Sequence, residues 1–272
     1  MNLITNSVSK QINELRNNVP LVHNITNYVT VNDVANVLLA IGASPIMADD
    51  IDETADITAI SSALVINIGT LNKRTISSMV VSGKKANELG IPVVFDPVGA
   101  GASKLRNETT KEILSQVKIA ILRGNLSEIS FAAGLEVSTK GVDSSEADEK
   151  NDSVAVAKVV AKKFDCVVAI TGAVDIISDG ERVVKISNGH KMLSKVTGTG
   201  CMTTALVGAF AGSCNDYFTA AVGGVASMGI AGEIAFEKVG DLGTGSFRVA
   251  IIDALSKLDG NIISERVKLD EE

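Results

Sequence analysis

Residues 196–201 read VTGTGC and run directly into the apolar stretch 202–212, MTTALVGAFAG. Gly198 and Gly200 permit a tight turn, and Cys201 to Phe210 are good helix formers, so this stretch predicts a helix N-terminus with unpaired backbone N–H groups. Together with the helix dipole, Gly198, Thr199, Gly200 and Cys201 would form an anion site suited to phosphate, with no basic side chain required. An ordinary glycine loop reads the same way, so other residues must decide. RGNLSEI at 123–129 supplies Arg123 and, at the start of an expected helix, Asn125 and Glu128 three apart on one face. Glu128 suits Mg²⁺, held directly or through water, because that ion keeps waters and takes few protein carboxylates. A glutamate in a first helical turn is explained equally by the dipole. Asp96, in VVFDPVGAG, ends an apolar run ahead of Pro97 and a glycine-rich turn. Its chemistry is open: neutralising phosphate charge through Mg²⁺, positioning a water, or accepting the amides of an Asx turn.

Cys201 is the thiol of interest, since a helix N-terminus is expected to lower a thiol pKa and expose the sulfur. Against a nucleophile stands the lack of a paired histidine, and packing inside a glycine turn is the competing account. Cys166 reads as core. His23 and His190 are isolated, with neither HExxH nor a Ser–His–Asp pattern around them. A Walker-type GxxxxGK(S/T) loop and a GxGxxG turn with a downstream acid are both missing, so neither of those nucleotide sites is supported.

The elements that must position these residues follow a βαβ rhythm from Val19 onward. Short apolar runs (VPLVHNIT, SPIMAD, ALVINIG, IPVVFDPVG, VKIAILRGN and DCVVAIT) alternate with helical patterns near 31–41, 52–62 and 71–89, the last stopped by Gly90. Near-continuous apolar runs indicate parallel strands covered on both faces. Ligands of such sheets bind beyond the strand carboxyl ends, where Asp49, Asp50, Asn67, Gly69, Asp96, Arg123, Asn125, Thr171 and Gly172 all fall. Two short alternating runs around Asp179-Gly180 predict a hairpin, and hence an antiparallel edge. Residues 138–152 read as a polar surface connection, the chain beyond the glycine turn as helical, and the tail KLDEE as frayed.

The 272 residues are sufficient for a large α/β core and are expected to form one domain, 1–272, with two domains allowed but not required. A net charge of −7 without any dense Lys/Arg cluster argues against nucleic acid or an anionic membrane as the main partner. Three cysteines without CxxC or zinc spacing fit a reducing compartment, and the N-terminus resembles an amphipathic helix rather than a signal segment. The most membrane-like stretch, Ala220 to Ala231, is short and glycine-interrupted. A cytoplasmic location is expected.

VHNITNYVT at 22–30, SPIMAD at 44–49, FDPVGAG at 95–101, RGNLSEI at 123–129 and VTGTGC at 196–201 together resemble hydroxyethylthiazole kinase, of the ribokinase-like superfamily. The resemblance runs from about residue 15 to about 258. It implies a three-layer αβα sandwich with a mostly parallel sheet and an antiparallel edge. The implied reaction moves the γ-phosphate of ATP, with Mg²⁺, to the hydroxyl of 4-methyl-5-(2-hydroxyethyl)thiazole. By the same resemblance, Met47, Gly198 and Asn27 match thiazole-binding positions, Arg123 and Thr171 match ATP-binding positions, and Asp96 and Glu128 match the acids around Mg²⁺. A homotrimer with sites between subunits is also implied. The wider superfamily usually carries an aspartate base where Cys201 stands, so Cys201, an aspartate acting through water, and no strong base are all retained. A nicotinamide-nucleotide-type dehydratase and a silent nucleotide-binding regulator are the rival readings on this fold.

Overall fold

A computed structural model describes residues 3–135 and 146–272. The helix α1 (Leu3–Asn18) leads into β1 (Leu21–Ile25), α2 (Val31–Ile41), β2 (Ser44–Ile46), α3 (Thr54–Ala59), β3 (Ala63–Asn67), α4 (Lys73–Leu89) and β4 (Val93–Asp96). Then come α5 (Lys104–Gln116), β5 (Ile121–Gly124), α6 (Leu126–Ala132), α7 (Glu146–Phe164) and β6 (Val167–Ile170). The strands β7 (Asp175–Ser178) and β8 (Val183–Ile186) precede α8 (Thr199–Ala211), α9 (Tyr217–Val239), α10 (Thr244–Lys257), α11 (Gly260–Arg266) and β9 (Leu269–Glu271).

Among the described residues the strands join one nine-stranded sheet in the order β2-β1-β3-β4-β5-β6-β7-β8-β9. Pairing is parallel from β2 through β6 and antiparallel from β6 to β9. The parallel part is buried on both faces because its side chains alternate between two cores. Val22, Ala63, Val65, Val94, Ile121, Val167 and Ala169 face one core, shared with α1, α2, α8, α9, α10 and α11. Leu64, Ile66, Val93, Phe95, Leu122, Val168 and Ile170 face the other, shared with α4, α5, α6 and α7. The result is the expected αβα layering. The loop between β7 and β8 turns at Gly180, whose φ of 97° is readily adopted only without a side chain. Helix α4 is closed by Gly90 at φ 70° and opened by a reciprocal Asn72–Thr75 cap.

Four expectations are corrected. The tail does not fray: Leu269, Asp270 and Glu271 pair with Ile186, Lys185 and Val184 of β8, so the chain beyond the glycine turn is not helical throughout. Of the polar connection expected over 138–152, residues 138–145 lie outside the described residues, and the rest begin α7. Helix α8 begins at Thr199, two residues earlier than expected, because Gly198 at φ 85° already makes the turn. The apolar stretch at 220–231 belongs to α9, which is long and apolar enough to cross a membrane; 89% of its most apolar window is buried within the protein, which accounts for the composition. Its glycines admit α8 closely: a Cβ on Gly224 would lie 2.5 Å from the Val207 amide nitrogen.

Candidate active site

The alternation that sorts the sheet into two cores also aims the polar strand ends. Ala63, Val65 and then Asn67 share one parity in β3, as do Val94 and Asp96 in β4, Ile121 and Arg123 in β5, and Val167 and Ala169 in β6 with Thr171 just beyond its end. Each of these last residues therefore points toward the layer containing α8. That helix meets them with residues four apart, on one face. A Cβ on Gly200 would lie 2.9 Å from Arg123 Nη1, the Thr204 hydroxyl lies 2.6 Å from Asp96 Oδ2, and a Cβ on Gly208 would lie 2.4 Å from Val65 Cγ2. Small residues along this face bring the helix N-terminus down onto the carboxyl edge of the sheet.

Asp96 is completely buried, and its two oxygens differ. Oδ2 accepts from Thr204 at 2.6 Å, from Asn67 Nδ2 at 3.0 Å and from Arg123 Nη1 at 3.5 Å. Oδ1 is buried without a partner, and so is Arg123 Nε. Burial raises the Asp96 carboxyl to about 6, against the pull of Arg123 and Thr204. Unpartnered buried atoms on opposite charges are costly in a finished core, and they are what a ligand or ion would satisfy. Arg123 Nη2 also donates to the Thr171 hydroxyl at 2.5 Å.

The turn at Gly198 has no side-chain cap, so the amides of Thr199, Gly200 and Cys201 remain for an incoming acceptor. Gly198 is required twice over: its φ is positive, and a Cβ would come within 2.3 Å of Thr30 Cγ2. Thr30 donates through its hydroxyl to Asn27 Oδ1 at 3.0 Å, and Asn27 Nδ2 reaches Cys201 Sγ at 3.0 Å. Burial, with Asp96 nearby, pushes the Cys201 thiol above its ordinary value despite the polar groups of Thr30, Asn67 and Asn27 around it. The lowering expected from the helix end is thus reversed, and the sulfur is a neutral thiol. Met47 follows β2 and packs on the core that includes α8. The loop carrying it is fixed by His23, whose Nε2 lies 2.7 Å from the Ala48 carbonyl and whose Nδ1 lies 2.9 Å from the Thr58 hydroxyl. Burial keeps this imidazole below its ordinary pKa, so it is a neutral structural clamp.

Glu128 and Asn125 form a reciprocal helix cap. Asn125 Oδ1 accepts the Glu128 amide, and Glu128 Oε2 accepts the Asn125 amide, both at 2.8 Å. Glu128 Oε1 also accepts the Gly99 amide at 2.8 Å. The acid therefore braces the turn after Asp96, which Arg106 grips from the other side through the carbonyls of Ile68, Val98 and Gly69. Among the described residues no three His, Cys, Asp or Glu side chains cluster as a metal cage. Mg²⁺ does not need one, and the free Asp96 Oδ1 is the donor that suits it. Beside the turn lies a cavity of about 580 Å³, large enough for a small ligand and lined by Arg123, Thr171, Thr199 and Gly200 together with Leu193, Val225 and Met228.

A profile of the hydroxyethylthiazole kinase family matches residues 12–261. The chain belongs to the hydroxyethylthiazole kinase family. It is 69% identical to a hydroxyethylthiazole kinase from Ruminiclostridium cellulolyticum, over all of both chains. The structure of a hydroxyethylthiazole kinase protein from Pyrococcus horikoshii OT3 superposes with a TM-score of 0.89 at 41% identity, covering 98% of this chain and 99% of that one. A ribokinase-like superfamily protein from Enterococcus faecalis V583 shares the fold with a TM-score of 0.62 at 9% identity, covering 90% and 89% of the two chains.

Of the strand-end residues named from sequence, Asn67, Asp96, Arg123 and Thr171 gather, whereas Asp49 and Asp50 pair with Arg74 away from the cavity. Arg123, Thr171, Thr199 and Gly200 line the cavity, Asp96 sits behind Arg123, and Cys201 with Asn27 forms the other flank of the turn. Met47 does not line that cavity, and Glu128 touches the site through the Gly99 amide. Two residues were not singled out. Thr204 shows itself by its spacing of four from Gly200 and Gly208. Asp175 lines the cavity, accepts the Gly172 amide at 2.9 Å and is raised to about 6 by burial; as the first residue of a hairpin it carried no signal.

Proposed function

We propose that this enzyme transfers the γ-phosphoryl group of ATP to the hydroxyl of 4-methyl-5-(2-hydroxyethyl)thiazole, a Mg²⁺-dependent step of thiamine synthesis or salvage. The carrying observation is the start of α8: Thr199 and Gly200 line the nucleotide-sized cavity while Cys201 touches Asn27 on the other side. A phosphate on the uncapped amides would meet a hydroxyl from the Asn27 side. Phosphoryl transfer asks mainly for alignment and neutralisation of equatorial oxygens. Arg123, with its unpartnered Nε, and Thr171 bind the phosphates, and the amides of residues 199–201 hold the transferred group. Asp96 and Glu128 would hold Mg²⁺, Asp96 through Oδ1 and Glu128 through water, since both its oxygens already receive amides. When bound, the ion supplies Lewis-acid neutralisation of the phosphate oxygens.

Asn27, Met47 and Gly198 surround the thiazole, and Cys201 assists by packing rather than by taking a proton. A loose transition state demands little activation of the hydroxyl, and a thiol raised by burial is a poor base near neutrality. The test is ADP release measured with the thiazole alcohol, hydroxymethylpyrimidine and pyridoxal as acceptors. Turnover with the last two only would overturn the substrate.

The loop of Asn27 continues into Tyr28 and Val29, which are 77% and 55% exposed. An apolar rim beside the thiazole side suits a second copy of the chain, and we read the assembly as a homotrimer with sites between subunits. Full activity in a species shown by light scattering to be monomeric would refute it. We read residues 1–272 as one catalytic domain, which the single sheet joining the described strands supports. We read the enzyme as cytoplasmic, a reading supported by the use of ATP and by the free thiols of Cys166, Cys201 and Cys214.

A further inference from the structure

A carboxylate that binds a cation can offer one oxygen or both, and the surroundings of Asp96 decide between these. Oδ2 is occupied by the Thr204 hydroxyl at 2.6 Å, the Asn67 amide at 3.0 Å and Arg123 at 3.5 Å. Oδ1 receives nothing. Neither short donor is free to turn away. Asn67 Oδ1 accepts the Gly69 amide at 2.9 Å and Asn27 Nδ2 at 3.4 Å, which fixes its NH₂ toward Asp96, its cross-strand partner. Thr204 has the Gly200 carbonyl as its other acceptor at 3.2 Å, and the shorter bond to a carboxylate prevails.

We propose that Asn67 and Thr204 are positioning residues for the metal–nucleotide complex: they saturate Asp96 Oδ2 and leave Oδ1 as the single oxygen offered to the cation. The inference rests on the reading of Asp96 as the acid that faces Mg²⁺. Mg²⁺ demands near-octahedral geometry and retains waters, so a one-oxygen contact from a carboxylate locked in orientation suits it, whereas a carboxylate free to rotate does not. Partners that orient a ligating group typically contribute 10- to 100-fold to metal affinity or activity. Asn67 also joins the two flanks, because the Asn27 side chain that touches Cys201 reaches Asp96 through it.

Calorimetric binding of a non-hydrolysable ATP analogue, with and without Mg²⁺, tests this. Thr204→Val keeps the shape and removes the donor; it is expected to reduce the Mg²⁺-dependent gain in affinity about 10- to 100-fold while metal-free binding is unchanged. Thr204→Ser should restore the gain, and Asn67→Ala should reproduce the loss. A full metal-dependent gain in Thr204→Val and Asn67→Ala overturns the proposal. So does an equal loss of metal-free binding in both variants, which would mark a purely structural role. Asp96→Asn is the control: if it too keeps the gain, the assignment of Asp96 is at fault, whereas loss in Asp96→Asn alone condemns only the positioning role.

Discussion

The sheet has a hollow at each end of its parallel strands, and the two are similar in size. At the carboxyl edge, about 580 Å³ opens beside Arg123, Thr171 and the start of α8. At the amino edge, about 440 Å³ opens beside Ile91, Pro92, Ile119, Ala120 and Cys166. Their polar groups differ. Around the amino hollow, Asn87 holds both the Lys118 amide and carbonyl, Lys118 pairs with Asp165 at 3.4 Å, and Asp179 pairs with Arg182 at 2.7 Å. Behind the carboxyl hollow, Asp96 Oδ1 and Arg123 Nε have no partner. Volume alone does not distinguish a working site from a gap between strand ends, whereas buried charge left incomplete does.

The largest test of this contrast is Asp96. Its replacement by Asn should lower kcat by about a thousandfold, as loss of a group that stabilises transition-state charge does. The same change should stabilise the fold. A buried carboxyl raised from 3.8 to about 6 binds its proton more readily folded than unfolded, so stability falls as pH rises through that window. The ionised form weighs against folding by on the order of 3 kcal/mol above pH 6. Asp96→Asn should therefore melt several degrees higher at pH 7.5, and the gap should close toward pH 4. A variant that loses both activity and thermal stability at pH 7.5 would erase the distinction between the two hollows.

Next in size is Gly200→Ala. The new Cβ would press on Arg123 Nη1 at 2.9 Å, and displacement of the guanidinium should reduce kcat/KM about a hundredfold with little change in melting temperature. Cys201→Ala should cost less than about tenfold in kcat, with no alkaline limb lost from the pH profile, because the thiol is neutral at working pH. A loss beyond about a thousandfold would make Cys201 a true base. At the amino edge, Gly90→Ala places a side chain at φ 70° with nothing within 4 Å; it should cost about 1–2 kcal/mol of stability and leave steady-state kinetics unchanged.

Much of this arrangement was legible as strings of residues. Runs such as ALVINIG and DCVVAIT mark buried parallel strands, and Gly90 marks the stop of α4, because these signals depend on local backbone and burial period alone. Asn67, Asp96, Arg123 and Thr171 were legible as strand ends, and their shared parity follows from counting back through the apolar set. Thr204 is hidden by its setting in a largely apolar helix that also carries Thr199 and Thr203, where a hydroxyl commonly bonds back to its own turn. The sign of the Cys201 shift was misread because helix-end electrostatics are local, whereas desolvation depends on the packing of Thr30, Asn27 and Asn67 around the sulfur. Strand β9 was missed for a similar reason: KLDEE has little strand character, and only the open edge of β8 recruits it.

That ninth strand also hangs on a wall of the cavity at the carboxyl edge. Asn188, which lines the cavity, accepts the Lys268 amide at 2.7 Å and donates to the Arg266 carbonyl at 2.8 Å, while the Ser187 amide reaches the Lys268 carbonyl at 3.1 Å. On the proposed reading, in which this cavity takes the nucleotide, the last five residues act as a hasp on one of its walls. Trimming them by a protease, or dragging on them with a fused partner, would register as a poorer grip on ATP while the thiazole side stayed intact.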